Sequence, residues 1–341
     1  MEKEVLVTGG AGFIGSHVAR HLIESRHNVV VLDDMSGGYI ENVPKNCEFV
    51  KGSVQDSKLV SDLFNKHRFE YVFHLAAYAA EGLSHFIKNF NYQNNLIGSI
   101  NLINAAVNVG TVKCFVFTSS IAVYGANQTP MVESLTPMPE DPYGISKYAV
   151  ELDLEESLRM FGLNYVIFRP HNVYGPNQNI MDPYRNVIGI FIKQCLQDKP
   201  LTIFGDGSQL RAFSHIDNVA PIIAKSVEFP STWNTVYNVG SDTPVSVLTL
   251  AKTICKKFGK DESQISFLDA RNEVLNAYSD HSKLRNTFSS LVKPDIPIEE
   301  GISEMIDWVK TTTHFKTSKK FDGIEVWKNM PPSWKKQYDS K

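Results

Sequence analysis

The chain has 341 residues, 43% of them hydrophobic and 21% charged, with a formal net charge of -3. That is enough apolar material for a fold of two lobes, and the charge balance gives no reason to expect nucleic acid or an anionic membrane as partner. No apolar run approaches the roughly 18 residues of a membrane span, and Cys47, Cys114, Cys195 and Cys255 lack the spacing of a metal site or disulfide framework, so a cytoplasmic protein with reduced thiols is expected.

Val5-Leu6-Val7 and Val29-Val30-Val31-Leu32 are short apolar runs rich in β-branched residues, with a helix predicted between them over residues 13–25. Further buried strands are predicted at 71–75, 114–118 and 165–168. Runs that are apolar throughout, rather than alternating, imply a parallel sheet covered on both faces. The clearest longer helices are 95–108 and 143–161, the second with Asp141 as N-cap, Pro142 at the first position and Gly162 just past its end. Beyond Arg169 the pattern loosens: helices are predicted at 187–196, 220–227 and 247–258, with a turn at Gly205-Asp206-Gly207-Ser208. The expected fold class is α/β, a Rossmann-type doubly wound parallel sheet with a smaller α/β substrate-binding lobe. Residues 1–170 form the nucleotide-binding domain, with returns at about 213–240. Residues 171–212 and 241–313 form the smaller lobe, and 314–341 a lysine-rich tail read as solvated or surface-packed.

Gly9-x-x-Gly12-x-x-Gly15 follows the first strand and opens the first helix. Glycines there let the backbone approach a pyrophosphate, and the helix N-terminus offers it free N–H groups. Asp33 stands 18 residues past Gly15, at the end of the second strand, where a carboxylate accepts hydrogen bonds from a ribose diol. Its successors are Asp34 and Met35 rather than an arginine, which favours NAD over NADP.

Tyr143 and Lys147 lie one helical turn apart on the same face. A free tyrosine titrates near 10, and bringing it to about 7 requires roughly 4 kcal/mol of preferential stabilisation of the phenolate. The adjacent ammonium is the expected source of that field. Ser120, at a strand end in Thr118-Ser119-Ser120, can hydrogen-bond a reacting oxygen and relay its proton.

With these residues the chain resembles the extended short-chain dehydrogenase/reductases, and among them the nucleotide-sugar epimerases of the UDP-galactose 4-epimerase type. The resemblance covers roughly residues 4 to 310. It rests on the glycine loop from Val7 to His17, His74-Leu75-Ala76-Ala77, Asn94-Asn95-x-x-Gly98, Thr118-Ser119-Ser120-x-x-x-Tyr124-Gly125 and Tyr143-x-x-x-Lys147. It continues through Arg169-Pro170-His171-Asn172-Val173-Tyr174-Gly175-Pro176, Gly205-Asp206-Gly207-Ser208-Gln209-x-Arg211 and Tyr237-Asn238-Val239-Gly240-Ser241.

The resemblance implies bound NAD, with Gly9, Gly12, Phe13, Ile14, Gly15, Asp33, Asp34, Ser53, Val54, Leu75, Ala76, Ala77, Asn94 and Pro170 lining its site. Ser120, Tyr143 and Lys147 are then the catalytic trio, with Tyr143 and Lys147 also meeting the cofactor. Asn172, Asn186, Arg211 and Arg271, together with Ser120, are implied to hold the diphosphate and sugar of a UDP-hexose. A homodimer through the two long helices is implied as well, and no metal. Ser53 stands where many relatives have aspartate, and residues 178–184 read as an added loop beside the sugar site. Sugar 4,6-dehydratases place an Asp and a Glu after the catalytic threonine, whereas Ser120 is followed by Ile121 and Ala122. Reversible C4 epimerisation is the expected activity. A uronic acid epimerase, a decarboxylase, a dehydratase or a non-catalytic nucleotide sensor are the alternatives.

Overall fold

The computed structural model describes residues 2–182, 184, 186–270, 276–312, 321, 323–335 and 338. The first half runs β1 (Glu4–Thr8), α1 (Phe13–Glu24), β2 (Asn28–Asp33), β3 (Glu48–Lys51), α2 (Ser57–His67), β4 (Tyr71–His74), α3 (Glu81–Ser84) and α4 (Lys88–Tyr92). A π turn over Gln93–Ile97 leads into α5 (Gly98–Val109), followed by β5 (Cys114–Thr118), α6 (Pro142–Phe161), β6 (Tyr165–Pro170) and β7 (Val173–Tyr174). Then come α7 (Val187–Leu196), β8 (Leu201–Phe204), β9 (Leu210–Ala212), β10 (Ser214–His215), α8 (Ile216–Lys225), β11 (Thr235–Val239) and β12 (Pro244–Ser246). The described chain closes with α9 (Val247–Lys257), β13 (Ile265–Leu268), β14 (Asn276–Ala277), α10 (Ser282–Thr287), α11 (Ile298–Thr311) and α12 (Pro332–Lys335).

The fully apolar strands form one seven-stranded sheet, in the order β11-β6-β5-β4-β1-β2-β3, with every neighbouring pair parallel. Chain order reverses between β1 and β4, which opens a crevice at their carboxyl ends. Alternate residues serve opposite faces: Val5, Val7 and Val31 pack with Val18, Leu22, Ile216 and Ile223 of α1 and α8. Leu6, Val30 and Leu32 pack instead with Leu63, Leu102, Val150 and Leu154 of α2, α5 and α6. A separate core joins Phe191, Leu250, Ile254 and Met305 from α7, α9 and α11 with Leu201 and Ile203 of β8.

The α6 N-terminus is built as its residues dictate. Asp141 Oδ1 accepts from Gly144 N at 2.9 Å, Pro142 takes the first turn, and Gly162 closes the helix at φ +73°. The helix predicted at 220–227 starts earlier, at Ile216, and carries Pro221 inside it, because burial of Ile216, Val219, Ile222 and Ile223 outweighs the lost N–H bond.

One buried ion pair ties α6 to the sheet. Arg169 of β6 grips Glu151 through Nε at 3.0 Å and a terminal nitrogen at 2.5 Å, while Ser119 Oγ donates to the same carboxylate at 2.5 Å. The guanidinium lies 4.7 Å from the Tyr124 ring, whose hydroxyl donates to Asn238 at 2.8 Å. Removing one partner leaves an uncompensated buried charge. Glu151→Ala is therefore expected to cost about 3–5 kcal/mol in urea unfolding, and Glu151→Leu combined with Arg169→Met to cost far less.

Candidate active site

The nucleotide loop is shaped by contacts that leave no room for side chains. Gly9 has φ +73°, and a Cβ on it would lie 2.7 Å from the Ala76 nitrogen. A Cβ on Gly15 would meet the Gly9 carbonyl oxygen at 2.1 Å. Phe13 and Ile14, half-buried, begin α1 directly behind Gly12. The Asp33 carboxylate accepts from Ala11 N at 3.0 Å and Met35 N at 2.8 Å, which orients it at the end of β2. Burial raises its pKa, and the N–H bonds from Met35 and Ala11 oppose the shift. Asp34 is exposed and accepts from Ser36 N.

β4 hands the chain to this loop. Leu75 N and Ala76 N donate to the carbonyl and hydroxyl oxygens of Thr8 at 3.2 Å each, and Ala77 follows half-buried. His74 is fully packed between Thr8 Oγ1 at 2.7 Å and Ser99 Oγ at 2.8 Å. Ser53 accepts from Gln55 N, and buried Val54 packs on Gly98. Asn94 sits on the π turn, donating to Asn95 at 2.9 Å. A π turn rotates a side chain off the regular helical face and recurs at functional sites.

Beside that crevice, Lys147 is buried with its Nζ 2.8 Å from the Thr118 carbonyl oxygen, 4.7 Å from the Phe117 ring centroid and 5.8 Å from the Tyr143 ring centroid. Burial lowers its pKa to about 7, with Glu151 opposing. Ser120 Oγ accepts from Ala122 N at 3.1 Å, which leaves the hydroxyl proton free for another acceptor. Gly144 is the hinge of the arrangement: a Cβ there would lie 2.6 Å from the Ala122 carbonyl oxygen, so only glycine lets the first turn of α6 rest on the Ser120 loop. Pro170 ends β6, next in the sheet to β5.

Other predicted residues have structural duties too. Asn172, at φ +38°, donates to the Ala212 carbonyl at 3.2 Å. Asn186 caps α7 through Oδ1 on Ile188 N and donates from Nδ2 to Val173 O. Arg211 lies on β9, which pairs with β12 and β14. Arg271 lies outside the described residues. The loop at 178–184 does not simply flank the sugar site: Asn179 bonds Gly37 O and Tyr39 OH, and neighbouring Asn177 reaches Ser16, so this segment buttresses the nucleotide loop. His215 caps α8 by accepting from Asp217 N at 3.4 Å, which puts its ring proton on Nε2, 3.5 Å from Glu304. Asp217 and Glu304 gather around His215, with ligand atoms within 4.8 Å of one another.

Sequence reasoning missed Glu151 with its partners, and Glu81. Glu81 is exposed, and its carboxyl is shifted upward by the protein around it and by the Asp141 charge, with Arg211 opposing. An acid directly after the alanine-rich stretch 76–80 was the signal available.

The glycine cradle and the oriented Asp33 carboxylate fit a dinucleotide: the first would hold the pyrophosphate and the second the ribose diol. The model of the NAD dependent epimerase/dehydratase family matches residues 5–240. A putative UDP-glucose 4-epimerase from Methanocaldococcus jannaschii is 34% identical over 311 residues, covering 90% of this chain and 98% of that protein. The crystal structure of Thermotoga maritima UDP-glucose 4-epimerase with UDP-glucose is similar at a TM-score of 0.85 and 35% identity, over 90% of this chain and 98% of that one. A UDP-N-acetyl-alpha-D-glucosaminuronate decarboxylase from Bacillus cytotoxicus is 31% identical over 330 residues, covering 91% of this chain and 98% of that protein. Family model, fold and cradle agree, and the chain belongs to the NAD dependent epimerase/dehydratase family, with NAD as its cofactor.

Proposed function

We propose that this protein reversibly inverts C4 of a UDP-hexose through a 4-keto intermediate that stays in the cleft. The observation that carries the reading is the pairing of Tyr143 and Lys147 beside Ser120, with Ile121 and Ala122 where a dehydratase would need acids. Tyr143, ionised, takes the proton of the 4-hydroxyl, and the free hydrogen of Ser120 supports the same oxygen. NAD, when bound, supplies a hydride acceptor that can also return the hydride. Asn172, Arg211 and Arg271 are the residues proposed to hold the diphosphate and sugar, a guanidinium gripping phosphate oxygens in a bidentate way; Asn186 has only its remaining amide hydrogen for such a contact. A tethered diphosphate lets the keto sugar turn over and present its other face.

Substrate breadth follows from Ala277. Its strand β14 is in register with Arg211 of β9, and its side chain packs on the cluster of Ile121, Tyr124 and Met131 next to Ser120. A methyl group there leaves room for an N-acetyl substituent. A second reading, decarboxylation of a UDP-uronate or dehydration of a UDP-hexose, draws on the similarity to the Bacillus cytotoxicus decarboxylase, with Arg211 holding the uronate carboxylate. Carbon dioxide released from UDP-glucuronate, or a 4-keto-6-deoxy product from UDP-glucose, would favour that reading.

The expected partner is a second copy. Ile145 and Leu152, two turns apart on α6, are 43% and 44% exposed, and Ile97 ahead of α5 is 42% exposed. An apolar stripe of this kind on adjoining helices suits pairing into a four-helix bundle. No helix among the described residues is long and apolar enough to cross a membrane, and a cytoplasmic setting is part of this reading.

Three tests follow. Given UDP-galactose or UDP-N-acetylgalactosamine, the protein should yield the 4-epimer by chromatography; Ala277→Tyr should keep the first activity and lose the second. Tyr143→Phe should keep NAD and lose about 10²–10⁴-fold in turnover. No interconversion of any UDP-hexose or UDP-N-acetylhexosamine would overturn the reading.

The buried ammonium predicts a pH signature. Lys147 titrates at about 7 when folded and near 10.4 when unfolded, so within that window the folded chain binds fewer protons and its stability rises with pH. Cofactor-free Lys147→Met should therefore gain melting temperature over the unmodified chain at about pH 7, with the gap shrinking toward about pH 10. A gap independent of pH would contradict this placement of the charge. Finally, Leu152→Asp should convert a dimer to monomers in analytical ultracentrifugation, and an unchanged mass would count against the helix pairing.

A further inference from the structure

The C-terminal segment, read from sequence as solvated or surface-packed, docks with specific contacts on the chain that leaves β4. Glu325 accepts from Asn89 N at 2.8 Å and Phe90 N at 2.9 Å, capping α4 with both carboxylate oxygens. Its own N–H and that of Val326 donate to the Phe86 carbonyl at 2.8 and 3.2 Å. The Phe321 ring lies 4.8 Å from Phe90 and 5.4 Å from Tyr78, and Trp334 lies 6.1 Å from Phe86 and 5.1 Å from Tyr184. Tyr338 closes the assembly, donating to Phe321 O at 2.8 Å and meeting the Tyr184 hydroxyl at 2.9 Å. The buried centre of this cluster, Ala80, Leu83 and Ile87, belongs to none of the sheet cores, and Phe321, Ile324 and Trp334 form one of its walls.

The α3–α4 segment that the tail packs against holds the front of α6. Asn91, on the helix that Glu325 caps, donates Nδ2 to the Pro142 carbonyl at 2.8 Å. Ser84 accepts from Tyr143 N at 3.3 Å and donates to Glu81 O at 2.5 Å. Ser84 and Asn91 are both 1% exposed, so these bonds are made away from water. A continuous path of hydrogen bonds and ring packing thus runs from the tail, through α4 and α3, to the backbone of Tyr143.

We propose that the docked C-terminal residues 321, 323–335 and 338 are a working part of the sugar site, with Glu325 a positioning residue that sets the α3–α4 segment against the first turn of α6. This rests on the reading of Tyr143 as the proton acceptor. The sheet holds Tyr143 through α6, and the tail holds it indirectly, through Ser84 and Asn91 of the α3–α4 segment. A base displaced by a fraction of an ångström loses its alignment with the hydroxyl it must deprotonate.

The test uses the full chain with Glu325→Ala, Glu325→Gln and Phe321→Ala, read by amide hydrogen exchange and by steady-state kinetics. Exchange should quicken at Asn89 and Phe90 and also at Tyr143 and Gly144, with NAD content unchanged. For UDP-hexose turnover, kcat should fall about tenfold or more in Glu325→Ala with a smaller change in KM, and Glu325→Gln, which keeps one acceptor oxygen, should recover part of the loss. Faster exchange confined to residues 86–92, with kcat within about twofold of the unmodified chain, would overturn the proposal. If the unmodified chain acts on no UDP-hexose, the substrate reading fails by itself, and exchange at Tyr143 and Gly144 still decides whether the tail positions that turn.

Discussion

A lysine ammonium enclosed by protein is the constraint around which this molecule is arranged. Lys147 Nζ has the Thr118 carbonyl oxygen at 2.8 Å and the faces of Phe117 and Tyr143 nearby. The carboxylate one turn further on, Glu151, is gripped by Arg169 and by Ser119, so its charge is largely matched already. Lys147 is left with a carbonyl dipole and ring quadrupoles, weaker compensation than an anion. A phenolate on Tyr143 would supply the missing negative charge. The same shortage that pulls the lysine down toward 7 is what would pull the tyrosine down to meet it.

Tyr143, Lys147 and Glu151 follow one another at four-residue spacing along one face of α6, and Thr118, Ser119 and Ser120 leave the end of β5 in single file. Two elements, with Arg169 of β6 beside them, therefore carry the whole electrostatic unit. The parallel register brings the cofactor loop to the same level: Thr8 pairs with His74, His74 with Phe117, and Thr118 with Phe168. Because all these strands point one way, their carboxyl ends form one rim. Tyr143, Lys147 and the glycine cradle meet there with no long loop needed to bring them together.

The parts legible in the sequence are those where local chemistry and tertiary demand coincide. Val5 to Val7, Val29 to Leu32 and Cys114 to Thr118 are apolar on both faces, and only a doubly covered sheet accepts such runs. Asp141, Pro142 and Gly162 announce both ends of α6. α2 and α11, by contrast, went unread although each carries a regular apolar face, Val60, Leu63 and Phe64 in the one and Ile302, Met305, Ile306 and Val309 in the other, and although α2 has an ordinary cap, Asp56 on Leu59 N. The π turn at 93–97 has no sequence signature of its own; it arises where Asn95 must bond both Asn91 and the backbone of Tyr78. Arg169 and Glu151 lie 18 residues apart, beyond any helical or strand periodicity. Asn186 matched a motif for ligand contact while its geometry also serves a helix cap, a double use that a motif cannot display.

The tail is the furthest from legibility, for a physical reason. Its aromatic and proline residues show no period, since they pack as single anchors into gaps left by another segment rather than along a helical or strand face. Three stretches outside the sheet, at 78–90, 177–184 and 321–338, meet in that cluster, and the middle one also reaches the nucleotide loop through Asn177 and Asn179. The residues proposed to bind the cofactor and move the proton come from the strand ends and α6. The residues proposed to shape the surroundings of the sugar are Ala277 and this three-part cluster. Family membership identifies the cofactor; on the proposed reading the sugar is selected by the second set, where a few side chains set how much space and which charges a hexose meets.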